Sequence, residues 1–289
     1  MTQKKKLLVL GASGMLGNAV FRFFQDDSLY KAWGTVRSLR AVQCFDPALR
    51  DHLIPNIDVE NTDALLALVA QVMPDVVVNC IGLVKQLSQA NDPLQALPIN
   101  ALLPHRLARI CAVAGARLIH FSTDCVFSGR QGGYVEADLP DATDLYGRSK
   151  LLGEVAEPHT ITLRTSIIGH ELDGGARSLV NWFLAQEHRT KGFSKAIFSG
   201  LPTVEIARVL RDFIFPHPEL HGLYHLSAEP INKYELLTLV AQAYDKSILI
   251  EASDELVIDR SLNSDRLREA TGFQPAVWPA LVAAMHDFG

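Results

Sequence analysis

Tyr146 and Lys150 form a Tyr-x-x-x-Lys pair. On a helix that spacing puts both side chains on one face. An unperturbed phenol titrates near ~10 and is a poor acid–base group at neutral pH. An ammonium one turn away favours the phenolate and makes the phenol a usable proton donor. The same lysine can grip the ribose of a nicotinamide cofactor. Upstream, Ser122-Thr123 close a strand-like run over 117–122. A hydroxyl at Thr123 can hydrogen-bond a substrate carbonyl oxygen and polarise it, or it can cap the next turn. Tyrosine, lysine and threonine in these roles suit the reduction of a carbonyl. The bland alternative is a surface tyrosine beside a solvated lysine.

A second set of residues would supply the reductant. Leu7 to Leu10 read as a buried strand that runs straight into Gly11-x-x-Gly14-x-x-Gly17, and residues 18–24 read as a helix. Gly11 allows a tight turn, Gly14 lets backbone approach a pyrophosphate, and Gly17 allows close helix packing. The helix N-terminus then faces the anion. Ser13, Met15 and Leu16 are expected to line the same loop. At the end of a second strand, over 32–36, an NAD site would carry an acidic residue. This chain has Thr35-Val36-Arg37-Ser38, with Arg40 close behind. A guanidinium and a hydroxyl suit a 2′-phosphate, so NADPH is expected, with NADH the alternative. Arg37 as a plain solvated charge is the competing reading. Asp58-Val59 are read as ending the third strand beside the adenine. Cys80-Ile81-Gly82 end the fourth, where backbone can pass near the cofactor.

These residues need a scaffold. Helical spacing covers 61–72, stopped by Pro74, and the β-branched run 75–80 reads as a strand buried on both faces. A helix over 102–114 ends at Gly115, and a strand follows over 117–122. Alternation of this kind predicts an α/β fold: a Rossmann-type doubly wound parallel sheet with right-handed crossovers and ligands at the strands' carboxyl ends. Past about residue 165 the rhythm loosens, with helices over 178–186 and 233–244 and a short strand over 223–226. The expected division is an NADP-binding domain over 1–165, with 195–228 returning to it. A smaller α/β substrate-binding region then takes 166–194 and 229–289.

Bulk properties exclude other classes. Of 289 residues, 48% are apolar and 20% charged, an ordinary balance for a packed soluble protein. A net charge of −5 argues against nucleic acid as a partner. Residues 1–10 have lysines before an apolar run too short for a signal peptide, and no stretch is long enough to span a membrane. Cys44, Cys80, Cys111 and Cys125 have no C-x-x-C pairing, which fits a reducing cytoplasm. Histidines such as His105, His120 and His159 form no ligand spacing, and no metal is expected.

The ordered set GASGMLG, STD-x-VF, Gly133-Tyr134-x-Glu136, Tyr146-Gly147-Arg148-Ser149-Lys150-x-x-Gly153-Glu154, Leu163-Arg164-Thr165-Ser166, Gly222-x-Tyr224-His225-Leu226-Ser227 and Arg260-Ser261-Leu262-Asn263 resembles the extended short-chain dehydrogenase/reductase superfamily. Within it, the chain is most similar to the dTDP-4-dehydrorhamnose reductase family. The resemblance implies a catalytic trio of Thr123, Tyr146 and Lys150. It also implies a cytoplasmic, NADPH-dependent reduction of dTDP-4-dehydro-L-rhamnose to dTDP-L-rhamnose, of the kind used in polysaccharide biosynthesis. A C-terminal region would hold the nucleotide sugar, with Lys85, Thr123, Asp124, Cys125, Trp182 and Arg260 at the sugar site. A homodimer is the expected assembly, and no residue points to the magnesium ion some members hold at an oligomer interface.

Two departures border that site. Cys125 stands where the family usually has tyrosine, and the loop Cys80-Ile81-Gly82-Leu83-Val84-Lys85-Gln86 replaces an alanine-rich segment with an acidic residue. Related dehydratases carry Asp-Glu after the threonine; here only Asp124 is present, which argues against dehydration. GDP-fucose synthases have a cysteine in a position like that of Cys125, so an epimerase-reductase of a GDP- or UDP-linked sugar is an alternative, its thiol helped by a histidine such as His170. A third reading is a regulatory subunit that binds NADP without turnover.

Overall fold

A computed structural model describes residues 3–85, 88–172 and 174–289. The apolar run after the N-terminal lysines is β1 (Lys5–Leu10), and its last four residues are buried. The chain then enters α1 (Met15–Phe23) three residues before the spacing predicts. The cause is Gly14, an extended N-cap that releases the chain directly into the helix. There follow β2 (Tyr30–Thr35), β3 (Leu53–Ile54), α2 (Thr62–Val72), β4 (Val76–Asn79), α3 (Leu103–Ala114) and β5 (Arg117–Thr123). Then come α4 (Leu145–Leu152) and β6 (Thr160–Thr165). Gly115 closes α3 at φ 68° as expected, and Asn61, read as the first helical residue, is instead the N-cap of α2.

With β7 (Ala196–Phe198) set apart and β8 (Gly222–His225) at the far edge, the main sheet has the order β8-β6-β5-β4-β1-β2-β3. β1 pairs in parallel with both β2 and β4. This is the strand reversal at which doubly wound sheets bind ligands. Leu8, Leu10 and Val77 from the sheet pack with Leu65, Leu68, Leu103 and Leu107 from the helices in one apolar core.

The third strand is shorter than expected. Pro55, which has no N–H to give a ladder, follows Ile54, and Asn56 turns the chain at φ 61°. Asp58 and Val59 therefore lie in the turn before α2 and not at a strand end. Asp58 Oδ1 accepts the Glu60 N–H at 3.0 Å there.

The chain forms two compact units. The first holds the chain up to Ser122 with Thr143–Leu163 and Pro218–Leu223. The second holds Thr123–Ala142, Arg164–His217 and Tyr224–Gly289. Residues 123–142 thus go with the second unit, and of 195–228 only Pro218–Leu223 goes with the first. Backbone explains the former. Asp259 N–H donates to Gly129 O at 2.8 Å, Tyr134 N–H to Ser261 O at 2.9 Å, and Asn263 N–H to Tyr134 O at 2.8 Å. The second unit also contains α5 (Leu179–Leu184), β9 (Ile231–Asn232), α6 (Lys233–Ala243) and β10 (Ile258–Asp259). Its three-stranded sheet runs β9-β7-β10.

Candidate active site

In the first unit, the glycine loop leaves β1 at the strand reversal. Gly11 has φ +81°, and a Cβ there would meet Ile81 Cγ1 at 2.7 Å. The loop is tied to the end of β2: Gly11 N–H donates to Thr35 Oγ1 at 3.1 Å and Ala12 N–H to Thr35 O at 2.9 Å. Gly17 packs on the loop so closely that a Cβ would lie 2.1 Å from Gly11 O. Gly14 differs, because a Cβ there would meet only Gly11 O, at 3.4 Å. Gly14 and Ser13 are exposed, Met15 is half-buried and Leu16 is buried. No side chain caps α1. An open glycine at an uncapped helix start is the cradle a dinucleotide pyrophosphate fits.

Arg37 and Ser38 are exposed directly after buried Val36. Ser38 Oγ accepts the Ala41 N–H at 3.3 Å, as the N-cap of a short helix, and keeps its own proton to donate. Cys80 is pushed up by burial, with Lys150 pulling the other way. Asn79 Oδ1 accepts the Ile81 N–H at 3.1 Å and so shapes the turn after β4.

Tyr146 and Lys150 both lie on α4, as their spacing requires. Asp144 caps this helix by accepting the Gly147 N–H at 2.8 Å. Tyr146 is half-buried. Lys150 is 6% exposed, which removes the reading of a solvated lysine. Its Nζ donates to Phe121 O near the end of β5 at 2.6 Å. A Cβ on Gly82 would lie 3.8 Å from that Nζ, so the exposed backbone after β4 borders the ammonium. Burial lowers Lys150 to about 8, against the raising effect first of Glu154 and then of Cys80. Lys85 is held by Asp144 at 2.6 Å, an exposed ion pair that leaves it committed within the first unit.

Two further residues here were given no role from the sequence, although Glu154 closes the motif that begins at Tyr146. Asn100, buried in the π-helical turn Leu97–Leu102, accepts the Leu83 N–H at 2.9 Å and donates to Ser149 Oγ at 3.2 Å. It clamps the loop after β4 to α4. Glu154 accepts the Ser122 hydroxyl at 2.6 Å and supports the Lys150 charge.

In the second unit, Thr123 opens a 3-10 turn over Asp124–Val126. Its Oγ1 accepts the Cys125 N–H at 3.1 Å and donates to Asp124 Oδ1 at 3.1 Å. The capping role is therefore real. Arg260 Nε donates to Phe127 O at 2.8 Å, fixing the guanidinium beside that turn. Trp182 lies on α5 and is 38% exposed. His170, expected as a helper of Cys125, has its Nε2 2.7 Å from the Tyr244 hydroxyl. Lys233 at the start of α6, which the sequence did not single out, is lowered by burial and held up by Asp124 and then Cys125. Gln86, part of the departing loop, lies outside the described residues.

The sheet order and the glycine loop at its reversal define a Rossmann-type nucleotide-binding fold. More narrowly, the chain belongs to the RmlD substrate-binding domain family, whose profile matches residues 5–279. It is 27% identical to methionine adenosyltransferase 2 subunit beta of Mus musculus, over 96% of this chain and 89% of that protein. It is 32% identical to dTDP-4-dehydrorhamnose reductase of Mycolicibacterium smegmatis, over 59% of this chain and 48% of that protein. The crystal structure of dTDP-4-dehydrorhamnose reductase from Bacillus anthracis in complex with NADP superposes with a TM-score of 0.78 at 20% identity, covering 99% of this chain and 98% of that one. That likeness is one of fold. Among the described residues, no helix is long and apolar enough to cross a membrane.

Proposed function

We propose that this protein is an NADPH-dependent reductase of the C4 keto group of a nucleotide-activated 6-deoxy-4-keto sugar, most simply dTDP-4-dehydro-L-rhamnose. One observation carries the reading: Lys150 is buried and pinned to the end of β5, one helical turn from Tyr146. A desolvated ammonium so placed serves no solvated face, and it stabilises negative charge on a neighbouring phenol.

The residues divide the work. Gly11, Gly14 and the start of α1 hold the pyrophosphate, Arg37 and Ser38 meet the 2′-phosphate, and residues 80–82 border the nicotinamide half. NADPH, when bound, supplies the hydride. Tyr146 gives its proton to the carbonyl oxygen as charge develops there. Thr123 donates a hydrogen bond to the same oxygen, and Lys150 offsets the charge left on Tyr146. Asp124, Cys125, Trp182 and Arg260 face the sugar nucleotide.

The test is NADPH oxidation, followed by its fluorescence, with dTDP-, GDP- and UDP-linked keto sugars offered separately. Oxidation with the dTDP-linked 6-deoxy sugar is the expected result; oxidation with another sugar alone would move the substrate assignment. A second reading is favoured by the long alignment with methionine adenosyltransferase 2 subunit beta. A regulatory subunit of that kind would bind NADPH and oxidise none of it with any of the sugars.

Cofactor choice has its own test. Arg37→Ala is expected to weaken NADPH by about 1.5–3 kcal/mol and leave NADH nearly unchanged, as loss of one charge-assisted contact would. Fluorescence titration with each cofactor reads this directly. Equal weakening of both would assign Arg37 to solvent.

A further inference from the structure

Two motifs of the sequence have no part in the scheme above, Leu163-Arg164-Thr165-Ser166 and Gly222-x-Tyr224-His225-Leu226-Ser227. The second unit joins them. Leu226 N–H donates to Arg164 O at 2.9 Å, and Arg164 Nη1 lies 3.3 Å from His225 Nε2. Arg164 is 3% exposed and His225 is fully buried. The other ring nitrogen, Nδ1, lies 3.0 Å from Tyr134 O and 3.2 Å from Asn263 O. Carbonyl oxygens only accept, so Nδ1 carries the proton; a guanidinium only donates, so Nε2 carries none. The partners therefore specify one neutral tautomer. Burial lowers His225 from its ordinary value; Glu136 opposes that and Arg164 adds to it. Arg164 on β6 and Glu136, whose Oε1 accepts the His225 backbone N–H at 2.7 Å, are the charged side chains against it among the described residues. The Tyr134 phenol accepts the Gln131 N–H at 3.2 Å, and residues 261–263 bring no charge.

The two carbonyls belong to the two segments that hold Arg260. Next to Arg260, Ser261 O accepts the Tyr134 N–H at 2.9 Å, and Asn263 N–H donates to Tyr134 O at 2.8 Å. Arg260 Nε donates in turn to Phe127 O at 2.8 Å. The Phe127 ring is stacked on Tyr134 with centroids 4.1 Å apart and meets the His225 ring edge-on at 6.0 Å. The Arg164 guanidinium carbon lies 5.3 Å from its centre. One imidazole proton thus ties both segments together. The same imidazole and guanidinium support the ring whose carbonyl aims Arg260. A second proton on His225 would set an N–H against the guanidinium, two cations in a buried site.

We propose that His225 is a positioning residue: its neutral ring, pinned between Arg164 and the carbonyls of Tyr134 and Asn263, holds Phe127 and residues 261–263 so that Arg260 stays aimed at the nucleotide sugar. This rests on the reductase reading, and His225, being buried, touches no substrate atom. Affinity for the sugar nucleotide is present while the ring is neutral and is lost as pH falls through the lowered value of the folded protein.

The test is steady-state kinetics with the keto sugar that the wild-type protein reduces, from about pH 7.5 down to about pH 5. In the wild-type protein KM for the sugar is expected to rise toward the acid end. His225→Phe keeps a ring and loses both nitrogens. Near neutral pH its KM for the sugar should rise roughly tenfold or more, the scale of one misaimed charge-assisted contact. Its kcat and its KM for NADPH should stay within about twofold of wild type. His225→Asn, whose amide N–H can take the place of Nδ1–H, should keep most of the affinity and, with no titrating group, hold KM level toward acid pH. A fall in kcat at unchanged KM, an equal loss of NADPH affinity, or an acid rise in KM that survives in His225→Asn would overturn the proposal. A measurement without turnover reads the pin itself: NMR of isotope-labelled histidine rings, assigned by the signal that His225→Asn removes. The neutral Nδ1–H form is expected near neutral pH, and an Nε2–H or doubly protonated ring overturns the proposal. If the wild-type protein reduces no sugar, the reductase reading fails by itself, and the ring measurement still decides the hold between His225 and Arg164.

Discussion

Tyr146→Phe is expected to lower turnover by ~10²-fold or more while NADPH binding stays close to wild type. The change deletes one hydroxyl from a half-buried ring and leaves α4, its Asp144 cap and the Lys150 contact with Phe121 O in place. Proton transfer to the carbonyl oxygen then falls to water, at a cost in barrier of about 2.7 kcal/mol for each hundredfold. The pH dependence of the wild-type protein carries the same argument. Lys150 titrates at about 8, is charged below that pH and neutral above it. Its support for a negatively charged Tyr146 is therefore present at neutral pH, and turnover should decline as pH rises through about 8. Single-turnover rates and cofactor titrations of the variant separate chemistry from binding. A variant with wild-type turnover would remove Tyr146 from the reaction.

Elements made from one uninterrupted signal were legible in the sequence. The run at Leu7–Leu10 and the valines of β4 could only be buried strands, and α3 ended at the glycine whose φ of 68° a side chain would resist. Tyr146 and Lys150 were legible because their spacing is itself a geometry. The end of β3 was not, since the turn at Pro55 and Asn56 outweighed the apolar residues that follow it. The grouping of residues 123–142 with the second unit was not legible either, for another reason. Their partners are far along the sequence: Gly133 N–H meets Ser261 Oγ at 2.8 Å, and Arg260 meets Phe127 O. Such contacts leave no local pattern.

The same holds for the residues that were missed. Lys233 looks like any lysine at a helix start, yet the fold of the second unit buries it enough to lower its pKa from the ordinary value. His170 was an attractive partner for Cys125 by residue type alone, yet its ring is engaged with Tyr244. Asn100 carries no motif; its importance lies in a buried amide that bonds two segments at once. What sequence reading recovers is chemistry encoded in spacing. What it loses is chemistry assembled by tertiary contact.

Two glycine substitutions three residues apart should separate folding from binding. In Gly17→Ala the new Cβ would lie 2.1 Å from Gly11 O and 2.7 Å from Gly11 C. Both are backbone atoms of a loop tied to Thr35, so the loop and α1 cannot both stay where they are. Overpacking of this kind costs about 1–3 kcal/mol or more, and Tm should drop by roughly 5 °C or more. NADPH affinity should fall with it, because the helix start moves. In Gly14→Ala the Cβ meets Gly11 O at an ordinary 3.4 Å, and the backbone there, φ −79° and ψ 160°, suits alanine. Tm should therefore hold. The methyl instead fills the open cradle, pushing the pyrophosphate off the N–H groups of α1 and weakening NADPH by about tenfold or more. Thermal melts with and without NADPH read both effects at once. If Gly14→Ala binds NADPH as tightly as the wild-type protein, the phosphate does not sit at this glycine, and the cofactor assignment must move to another part of the strand reversal.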